Sequence, residues 1–273
     1  MIEQRSLFST PAVPTRTDGR IGVLTWNVQH AAPKRAWQQV EWLAAQPDTD
    51  IIALTEVGGL RSAAVVGEAL RYYGYATHVP VGEVTDYRVV VASRVGKLRI
   101  VAAGPDCMPH RGVVGRVAFD QETITIAAVY VPSRGPQERR NVAKRAFQDA
   151  VARMLPDLVS RFGSQGPVLI GGDLNVVEPQ HSPHHSVFGE WEYNFYRSFE
   201  KAGLVDCFRH LHREAEDHSW YGRSGLGFRF DHIFIDDASA GRVLACRYEH
   251  GTRIGGLSDH SAMVLTLTVA SHN

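Results

Sequence analysis

The sequence contains a recurring pattern in which a short apolar run ends at an acidic, amide or histidine side chain, and this pattern limits the folds that the chain can adopt. In the clearest example the apolar residues 167–170 are followed by residues 171–175, Gly-Gly-Asp-Leu-Asn. A run of about four apolar residues bounded by turn formers is typical of a buried strand. Because side chains alternate along a strand, Asp173 and Asn175 point the same way and can reach one ligand. The adjacent glycines leave the backbone bare, which allows a group such as phosphate to come close.

The same pattern recurs where other apolar runs end, at Asn27, Glu56, Asp231-His232 and Asp259-His260. Taken singly, each polar residue has an ordinary explanation, because Asp and Asn often form the turn after a strand and a histidine often caps a loop. The recurrence of the pattern favours a functional role for the set.

The spacing of apolar residues predicts the secondary structure. Helices are predicted over residues 34–46, 61–73, 142–158 and 190–202, and Pro156 is expected to kink the third helix or end it early. The apolar stripe of that helix is Val142, Phe147, Val151, Leu155 and Leu158. Strands are predicted over residues 21–27, 50–55, 75–79, 87–92, 113–119, 123–131, 167–170, 228–235, 244–248 and 262–269, with a hairpin turn at 120–122. Strands interrupted by single helices predict two packed sheets with helices outside, in one domain of residues 21–270 after a flexible tail of residues 1–20.

Composition places the 273-residue chain in the ordinary globular range, with 44% hydrophobic and 21% charged residues. The 29 Lys and Arg residues balance the 29 Asp and Glu residues, so net charge does not indicate a nucleic acid partner, although a local basic stripe would suffice. Cys107, Cys207 and Cys246 are far apart and odd in number, which favours core thiols in a reducing compartment. With no signal peptide and no stretch of about twenty apolar residues, we expect a soluble, cytoplasmic protein with no membrane contact.

The polar residues at the run ends are oxygen donors with one imidazole and no thiol: Glu56, Asp173, Asn175, Asp231, Asp259 and His260. Such a set favours Mg²⁺, with Mn²⁺ as a substitute, because hard cations prefer carboxylate, carbonyl and water oxygens. Zinc at His260 is the alternative metal, but it would want more imidazole or thiolate ligands. A phosphodiester hydrolase needs a metal, a group that orients or deprotonates water, and donors around the developing charge, and this set supplies all three. A carboxylate can also fix the tautomer of a histidine, although a structural role for His260 is the alternative.

Six motifs, in this order, carry a resemblance to a known family: Thr25-Trp26-Asn27-Val28, Leu54-Thr55-Glu56, Val129-Tyr130-Val131-Pro132, Gly172-Asp173-Leu174-Asn175, Phe230-Asp231-His232 and Ser258-Asp259-His260. Over residues 21–269 the chain resembles the endonuclease/exonuclease/phosphatase superfamily. The resemblance implies an α/β fold, a four-layered sandwich of two packed, mainly antiparallel sheets flanked by helices. It also implies a divalent metal where strand ends of both sheets meet, with Glu56 as the principal ligand and Asn27 and Asp259 close to the metal.

The same resemblance implies catalytic roles for the remaining residues. Asp173 would orient or deprotonate the attacking water, and Asn175 would hold the water or the phosphate. Tyr130 would contact the phosphate. His260, held by Asp231, would contact a phosphoryl oxygen or carry a proton. The family's mechanism has more than one proposed assignment of the base, and the sequence does not choose between them.

The last third of the chain is similar to the exonuclease III branch of abasic-site DNA endonucleases, through residues 195–210, 219–220 and 227–231. In that branch the positions of Trp220, Phe228 and Phe230 form an apolar pocket for a flipped, baseless sugar. Three ordinary core aromatics are the alternative. The loop 220–228 is shorter than is usual for that branch and residues 133–145 do not match it, which leaves the substrate open.

A cluster of basic residues follows Tyr130: Arg134, Arg139, Arg140, Lys144 and Arg145. The cluster is either a solvated helix face or a local phosphate-binding surface. In the second case Arg134, Arg139 and Arg140 are the expected substrate contacts.

The leading hypothesis is a monomeric, Mg²⁺-dependent phosphodiesterase that hydrolyses duplex DNA at an abasic site or at a 3′ end. The alternative of the same fold is a phosphatase or phosphodiesterase for a small or lipid phosphate, such as an inositol phosphate. A catalytically silent DNA-binding module is the alternative of another class, which the full set of metal and water residues disfavours.

Overall fold

A computed structural model describes residues 19–119, 122–135 and 138–269, with only the backbone described at residues 138–140. Most of the predicted tail, residues 1–18, and the turn residues 120–121 therefore lie outside the described residues, as do the side chains of Arg139 and Arg140. None of the described helices is long and apolar enough to cross a membrane.

The described residues form fourteen strands and six α-helices. The strands are β1 (Arg20–Asn27), β2 (Ile51–Val57), β3 (Ala76–His78), β4 (Arg88–Ser93), β5 (Lys97–Ala103), β6 (Gly112–Phe119), β7 (Glu122–Tyr130), β8 (Val168–Asp173), β9 (Leu204–Asp206), β10 (Trp220–Tyr221), β11 (Gly227–Phe228), β12 (Asp231–Asp236), β13 (Val243–Glu249) and β14 (Ala262–Thr268). The helices are α1 (Pro33–Ala45), α2 (Leu60–Tyr72), α3 (Glu138–Phe162), α4 (Glu190–Lys201), α5 (Cys207–Leu211) and α6 (Gly251–Ile254). Short 3₁₀ helices occur at Pro109–Arg111, Gly163–Gln165 and Asp237–Arg242.

Twelve of these strands form two six-stranded sheets, and β10 and β11 form a separate antiparallel pair. The strand order is β13-β14-β1-β2-β4-β3 in the first sheet and β5-β6-β7-β8-β12-β9 in the second. The pairs β1–β2 and β7–β8 are parallel. The other pairs are antiparallel, so the prediction of two mainly antiparallel sheets is confirmed.

Three apolar cores separate four layers: α1 and α2, the first sheet, the second sheet, and α3 and α4. Strand β1 contributes to two of these cores, because Val23 lies between the sheets and the next residue, Leu24, lies beneath α1 and α2. Strand β8 is built in the same way, with Leu169 between the sheets and Ile170 beneath α3 and α4. Strands buried on both faces read as continuous apolar runs, and the four-layered sandwich expected from the sequence is confirmed.

Helix α3 rules out one of the two outcomes predicted for Pro156, an early end of the helix. The helix does not end early but runs on to Phe162, with Pro156 on its exposed side. On the opposite side Leu155, Leu158 and Phe162 are buried against the second sheet. The packing of this face outweighs the loss of one helical hydrogen bond at the proline. The predicted apolar stripe is also wrong at one position, because Val142 is 60% exposed.

Three further details differ from the predictions. The strand predicted over residues 228–235 is two strands, β11 and β12, separated by two residues. Strands β5 and β9 were not predicted, because β5 is a largely exposed edge strand and β9 has three residues. The expectation of core thiols holds for Cys207 and Cys246 but is wrong for Cys107, which is exposed.

Candidate active site

Five of the predicted site residues lie at one edge of the molecule, because strands of both sheets end there. Tyr130 ends β7 and is the register partner of Asp173, which ends β8. Asp231 begins β12 and is the register partner of Asp173 on its other side. In the first sheet Asn27 ends β1, and Glu56 lies one residue beyond its register partner on β2. Side chains from five strands are thereby brought together.

The position of Glu56 depends on an irregularity in β2. The pairing of β2 with β4 shifts register between Leu54 and Val57, so the backbone bulges around Glu56, whose φ is 54°. The described non-glycine residues with positive φ are Gln29, His30, Glu56 and Asn175. All four lie at this edge: His30 contacts Glu56, Asn175 bonds to Asp173, and Gln29 bonds to the side chain of Asn27. Backbone strain is therefore concentrated at the site, as is typical of functional residues.

Asn27 joins the two sheets through its side-chain amide. Its Nδ2 donates to Glu56 Oε2 at 2.9 Å and to Asp173 Oδ2 at 2.8 Å. Its Oδ1 accepts the backbone N–H of Gln29 at 2.8 Å. One nitrogen thus holds the two carboxylates in place. The role of Asn27 beside a metal stays a prediction.

His260 and Asp231 form a buried ion pair. His260 Nδ1 donates to Asp231 Oδ2 at 2.7 Å, and the two side chains are 7% and 0% exposed. Burial disfavours the charged imidazole, but the Asp231 carboxylate outweighs it and raises the pKa of His260 to about 9. His260 is therefore positively charged at neutral pH, and its Nε2–H is a charged donor.

Asp173 is a buried carboxyl whose acid strength suits proton transfer near neutral pH. Burial raises the pKa of Asp173 to about 7, repulsion from Asp231 adds to the rise, and His260 opposes it. Its Oδ1 accepts the backbone N–H of Asn175 at 2.8 Å, and its Oδ2 accepts Asn175 Nδ2 at 3.1 Å. A general base works best when its pKa lies near the working pH, so Asp173 fits the predicted role.

Tyr130 keeps its hydroxyl proton, because burial raises its pKa and the Glu56 and Asp173 carboxylates raise it further. The Arg111 guanidinium lies over its ring, 4.4 Å from the ring centroid. Arg111 Nη1 is buried without a hydrogen-bond partner among the described residues. A buried, unsatisfied cationic donor at this place suits a phosphate. Sequence analysis missed Arg111, which belongs to none of the motifs.

Asn175 is held by a buried cation. The Nδ2 of Asn175 donates to the Val131 carbonyl at 2.9 Å, and Lys144 Nζ donates to the backbone carbonyl of Asn175 at 2.8 Å. Lys144 is fully buried and pairs with Glu192 at 2.5 Å. Lys144 therefore belongs neither to a solvated face nor to a phosphate-binding surface, and it supports the left-handed backbone at Asn175. Glu192 also pairs with Arg134 at 2.7 Å, and a DNA contact by Arg134 stays a prediction.

Trp220, Phe228 and Phe230 form an aromatic wall beside His260. Ring centroids are 5.0 Å apart for Phe228 and Phe230, 5.7 Å for Trp220 and Phe230, and 6.3 Å for Trp220 and His260. Each of the three aromatic side chains is partly exposed, so they are not ordinary core residues. Trp220 Nε1 also donates to Asp259 Oδ2 at 3.0 Å, which links the wall to the predicted metal side of the site.

A buried ionic network fixes the start of β12. Arg229, fully buried, pairs through Nε with Glu178 at 2.8 Å and through Nη2 with Asp206 at 2.7 Å. His232 lies next to Asp231 in the sequence motif, but its Nδ1 is 3.3 Å from Asp206 and its Nε2 is 3.1 Å from a backbone carbonyl. His232 is therefore a structural histidine, and sequence analysis did not identify the network that holds it.

The donor chemistry of the site fits a hard divalent cation held by few protein ligands. Glu56 offers a carboxylate at the open edge, 17% exposed, with Asn27 beside it. Among the residues that the structure describes, no group of three or more His, Cys, Asp and Glu side chains forms a metal cage. Mg²⁺ commonly takes one or two carboxylates and keeps several waters, whereas zinc wants three or four protein ligands. The donor set of the site suits a hard divalent cation.

Two comparisons with solved structures test the fold. An AP endonuclease from Archaeoglobus fulgidus has a TM-score of 0.76 and 21% sequence identity, over 91% of this chain and 100% of that chain. A 3′ phosphatase from Neisseria, bound to a product DNA hairpin, has a TM-score of 0.75 and 21% identity, over 90% of this chain and 98% of that chain. At these identities the likeness shows the fold.

Sequence comparison shows the family. The chain is 26% identical to an exodeoxyribonuclease from Bacillus subtilis over 139 residues, which are 45% of this chain and 54% of the relative. The chain thus spans about half the length of this curated relative. The family model matches residues 24–260, a span that holds all six motifs and the site described above. The resemblance found in the sequence is confirmed, and the chain belongs to the Endonuclease/Exonuclease/phosphatase family.

Proposed function

We propose that this protein is a Mg²⁺-dependent phosphodiesterase that hydrolyses DNA, as an endonuclease at abasic sites, as a 3′-end exonuclease, or as both. One observation carries the proposal: a partly exposed aromatic wall adjoins the charged Asp231–His260 pair. Family membership supports hydrolysis of a phosphate ester, and the relatives described as exodeoxyribonuclease and AP endonuclease support DNA as the substrate.

Four side chains divide the chemistry at the phosphoryl group. Asp173, whose pKa burial raises, accepts a proton from the attacking water as the new oxygen–phosphorus bond forms. The phosphorus–oxygen bond to the leaving sugar oxygen breaks, and that oxygen takes up a proton from solvent. His260 donates its Nε2–H to a phosphoryl oxygen, and Asp231 keeps the imidazole charged. Tyr130 donates its hydroxyl to the same phosphate. These donors lie in a largely buried site, where a hydrogen bond to a developing charge is stronger than in water.

Glu56, with Asn27 and Asp259 nearby, would hold the divalent cation. The cation supplies positive charge against the charge that develops on the phosphoryl oxygens. Asn27 keeps Glu56 and Asp173 at a fixed separation, because one amide nitrogen bonds to both. The residue that binds the cation and the residue that handles the proton are thereby positioned together.

The aromatic wall supplies the preference for an abasic site. Extruding a paired nucleotide from a duplex costs a few kcal/mol, and an abasic site has already lost its pairing. A deoxyribose without a base can pack against Trp220, Phe228 and Phe230, whereas an intact nucleotide must also place its base there. Duplex DNA is therefore the proposed partner. The monomeric state and the cytoplasmic location stay predictions.

A three-substrate assay tests the proposal. The substrates are a duplex with one abasic site, its intact twin and a small phosphodiester, each with Mg²⁺ and with excess chelator. We expect Mg²⁺-dependent cleavage that is fastest at the abasic site. Trp220→Ala and Phe230→Ala should slow abasic cleavage far more than hydrolysis of the small phosphodiester, with little change in melting temperature.

Two results would count against the proposal. Full activity in excess chelator would show that the reaction does not require a metal ion. Preference for the small phosphodiester, or equal losses on both substrates with a lower melting temperature, would show that the aromatic wall is structural and would leave a general phosphodiesterase.

A further inference from the structure

His30, in the loop after β1, faces Glu56. Its Nδ1 lies 2.7 Å from Glu56 Oε1, and its backbone N–H donates to the Glu56 carbonyl at 2.8 Å. Both residues have left-handed backbones, with φ of 35° at His30 and 54° at Glu56. Two strained residues are therefore held against each other by both backbone and side chain.

The surroundings of His30 fix its ring and leave it accessible. The imidazole stacks on Tyr87, with centroids 5.1 Å apart and planes 16° apart. Gly58 packs against the Cβ and backbone of His30, since a Cβ at Gly58 would lie 3.0 Å from the His30 Cβ. The side chain is nevertheless 50% exposed. Because Asn27 bonds to the other oxygen, Oε2, of Glu56, His30 lines the side of this carboxylate that Asn27 leaves open.

Stability alone does not account for this arrangement. An exposed side-chain contact such as that between His30 and Glu56 stabilises a fold only slightly, whereas a left-handed backbone at a non-glycine residue is strained, and two such residues are present here. Coordination of one cation would account for the distance between His30 Nδ1 and Glu56 Oε1. Two ligand atoms that bind a cation at about 2.1 Å and at right angles are about 3 Å apart, which is close to the observed 2.7 Å.

We propose that His30 is a ligand of the catalytic cation alongside Glu56, and that its imidazole shifts the metal preference of the site from Mg²⁺ toward Mn²⁺. The inference rests on the proposed function, because it requires a cation at Glu56. A neutral imidazole nitrogen is a softer donor than a carboxylate oxygen and binds transition metals in preference to Mg²⁺. The site then binds Mn²⁺ more tightly than Mg²⁺, although both ions support hydrolysis.

Metal binding to the metal-free full-length protein tests the proposal without an activity measurement. Calorimetry gives Kd for Mn²⁺ and for Mg²⁺, and the electron spin-echo spectrum of bound Mn²⁺ reports a directly bound imidazole nitrogen. We expect His30→Ala and His30→Gln to lose the nitrogen signal and to weaken Mn²⁺ binding about 10-fold or more, with a much smaller change for Mg²⁺.

Matched controls separate ligation from general damage. His78→Ala changes a half-buried histidine on β3 and should leave both Kd values and the spectrum as in the wild type. His260→Ala should retain the nitrogen signal, because His260 is not the proposed ligand. Thermal unfolding of each variant confirms that the fold is intact.

The outcomes of these measurements separate the inference about His30 from the proposed function. A nitrogen signal that persists in His30→Ala, or unchanged Mn²⁺ binding, would overturn the assignment of His30. If Glu56→Gln still lost both metals in that case, the proposed function would stand. Undiminished binding of both metals by Glu56→Gln would overturn the two proposals together.

Discussion

Replacing Asp231 by Asn tests how far a buried carboxylate controls His260. The wild-type pairing raises the pKa of His260 from 6.5 to about 9, which corresponds to about 3 kcal/mol in favour of the charged imidazole. Burial acts in the opposite direction, but Asp173 and Asp259 also raise the pKa of His260, so in Asp231→Asn this pKa should fall well below about 9 without losing all of its rise. At pH 7.5 the protonated fraction of His260 should therefore fall.

Two assays follow this change. NMR titration of the metal-free protein, with His260→Ala to assign the signal, should give a pKa of about 9 in the wild type and the lower value in Asp231→Asn. Single-turnover cleavage of an abasic duplex at pH 7.5 should fall at least about tenfold, because the charged donor is lost. Asp231→Asn combined with His260→Ala should be little worse than His260→Ala alone. A pKa still near 9 in Asp231→Asn, or additive losses in the double variant, would show that Asp231 does not act through His260.

Three other predictions concern stability and rate. The pKa of His260 is higher in the folded protein than its ordinary 6.5, so its contribution to stability is complete below about pH 6.5 and is lost as pH rises through about 9. In urea unfolding, the difference in stability between wild type and His260→Ala should therefore narrow as pH rises through about 9, and a constant difference would contradict this. Glu56→Gln and Asp173→Asn should each slow abasic cleavage by about 10² to 10⁴ with unchanged circular dichroism, and wild-type rates would exclude these roles. Gly172 has a φ of 146°, and a Cβ there would lie 1.9 Å from the Val129 carbonyl oxygen, so Gly172→Ala should lower the free energy of unfolding by at least about 2 kcal/mol. Gly241→Ala, where no atom lies within 4 Å, is the matched control, and equal effects would argue against the strain.

The acids at the strand ends were predictable because each is marked locally. An apolar run that stops at Asp173 or Glu56 can be recognised without its partners, and parallel strands then bring such ends to one edge. Local patterns do not show how the strands form sheets. The order of the six motifs did, because it assigned the chain to one known fold. The two mainly antiparallel sheets and the grouping of Asn27 with Asp173 follow from that assignment.

The residues that sequence analysis missed owe their role to contacts between distant parts of the chain. Arg111 gains significance only because its guanidinium lies over Tyr130. Lys144 looked like part of a solvated basic face, but Glu192, 48 residues away, allows it to be buried. Pro156 shows the same limit for secondary structure, because the buried face of α3 overrides a local helix breaker. Burial and pairing of this kind are tertiary properties, which local patterns do not encode.

We propose that this site hydrolyses a phosphodiester by attack of water on phosphorus. Cleavage of an abasic duplex in ¹⁸O-labelled water, followed by mass spectrometry of the products, tests this proposal. We expect one ¹⁸O atom in the terminal phosphate that each cleavage creates, no labelled product with excess chelator, and far less labelled product with Asp173→Asn in the same time. Cleavage that leaves the phosphate unlabelled, with an unsaturated sugar at the break, would show carbon–oxygen bond elimination and would contradict the claim.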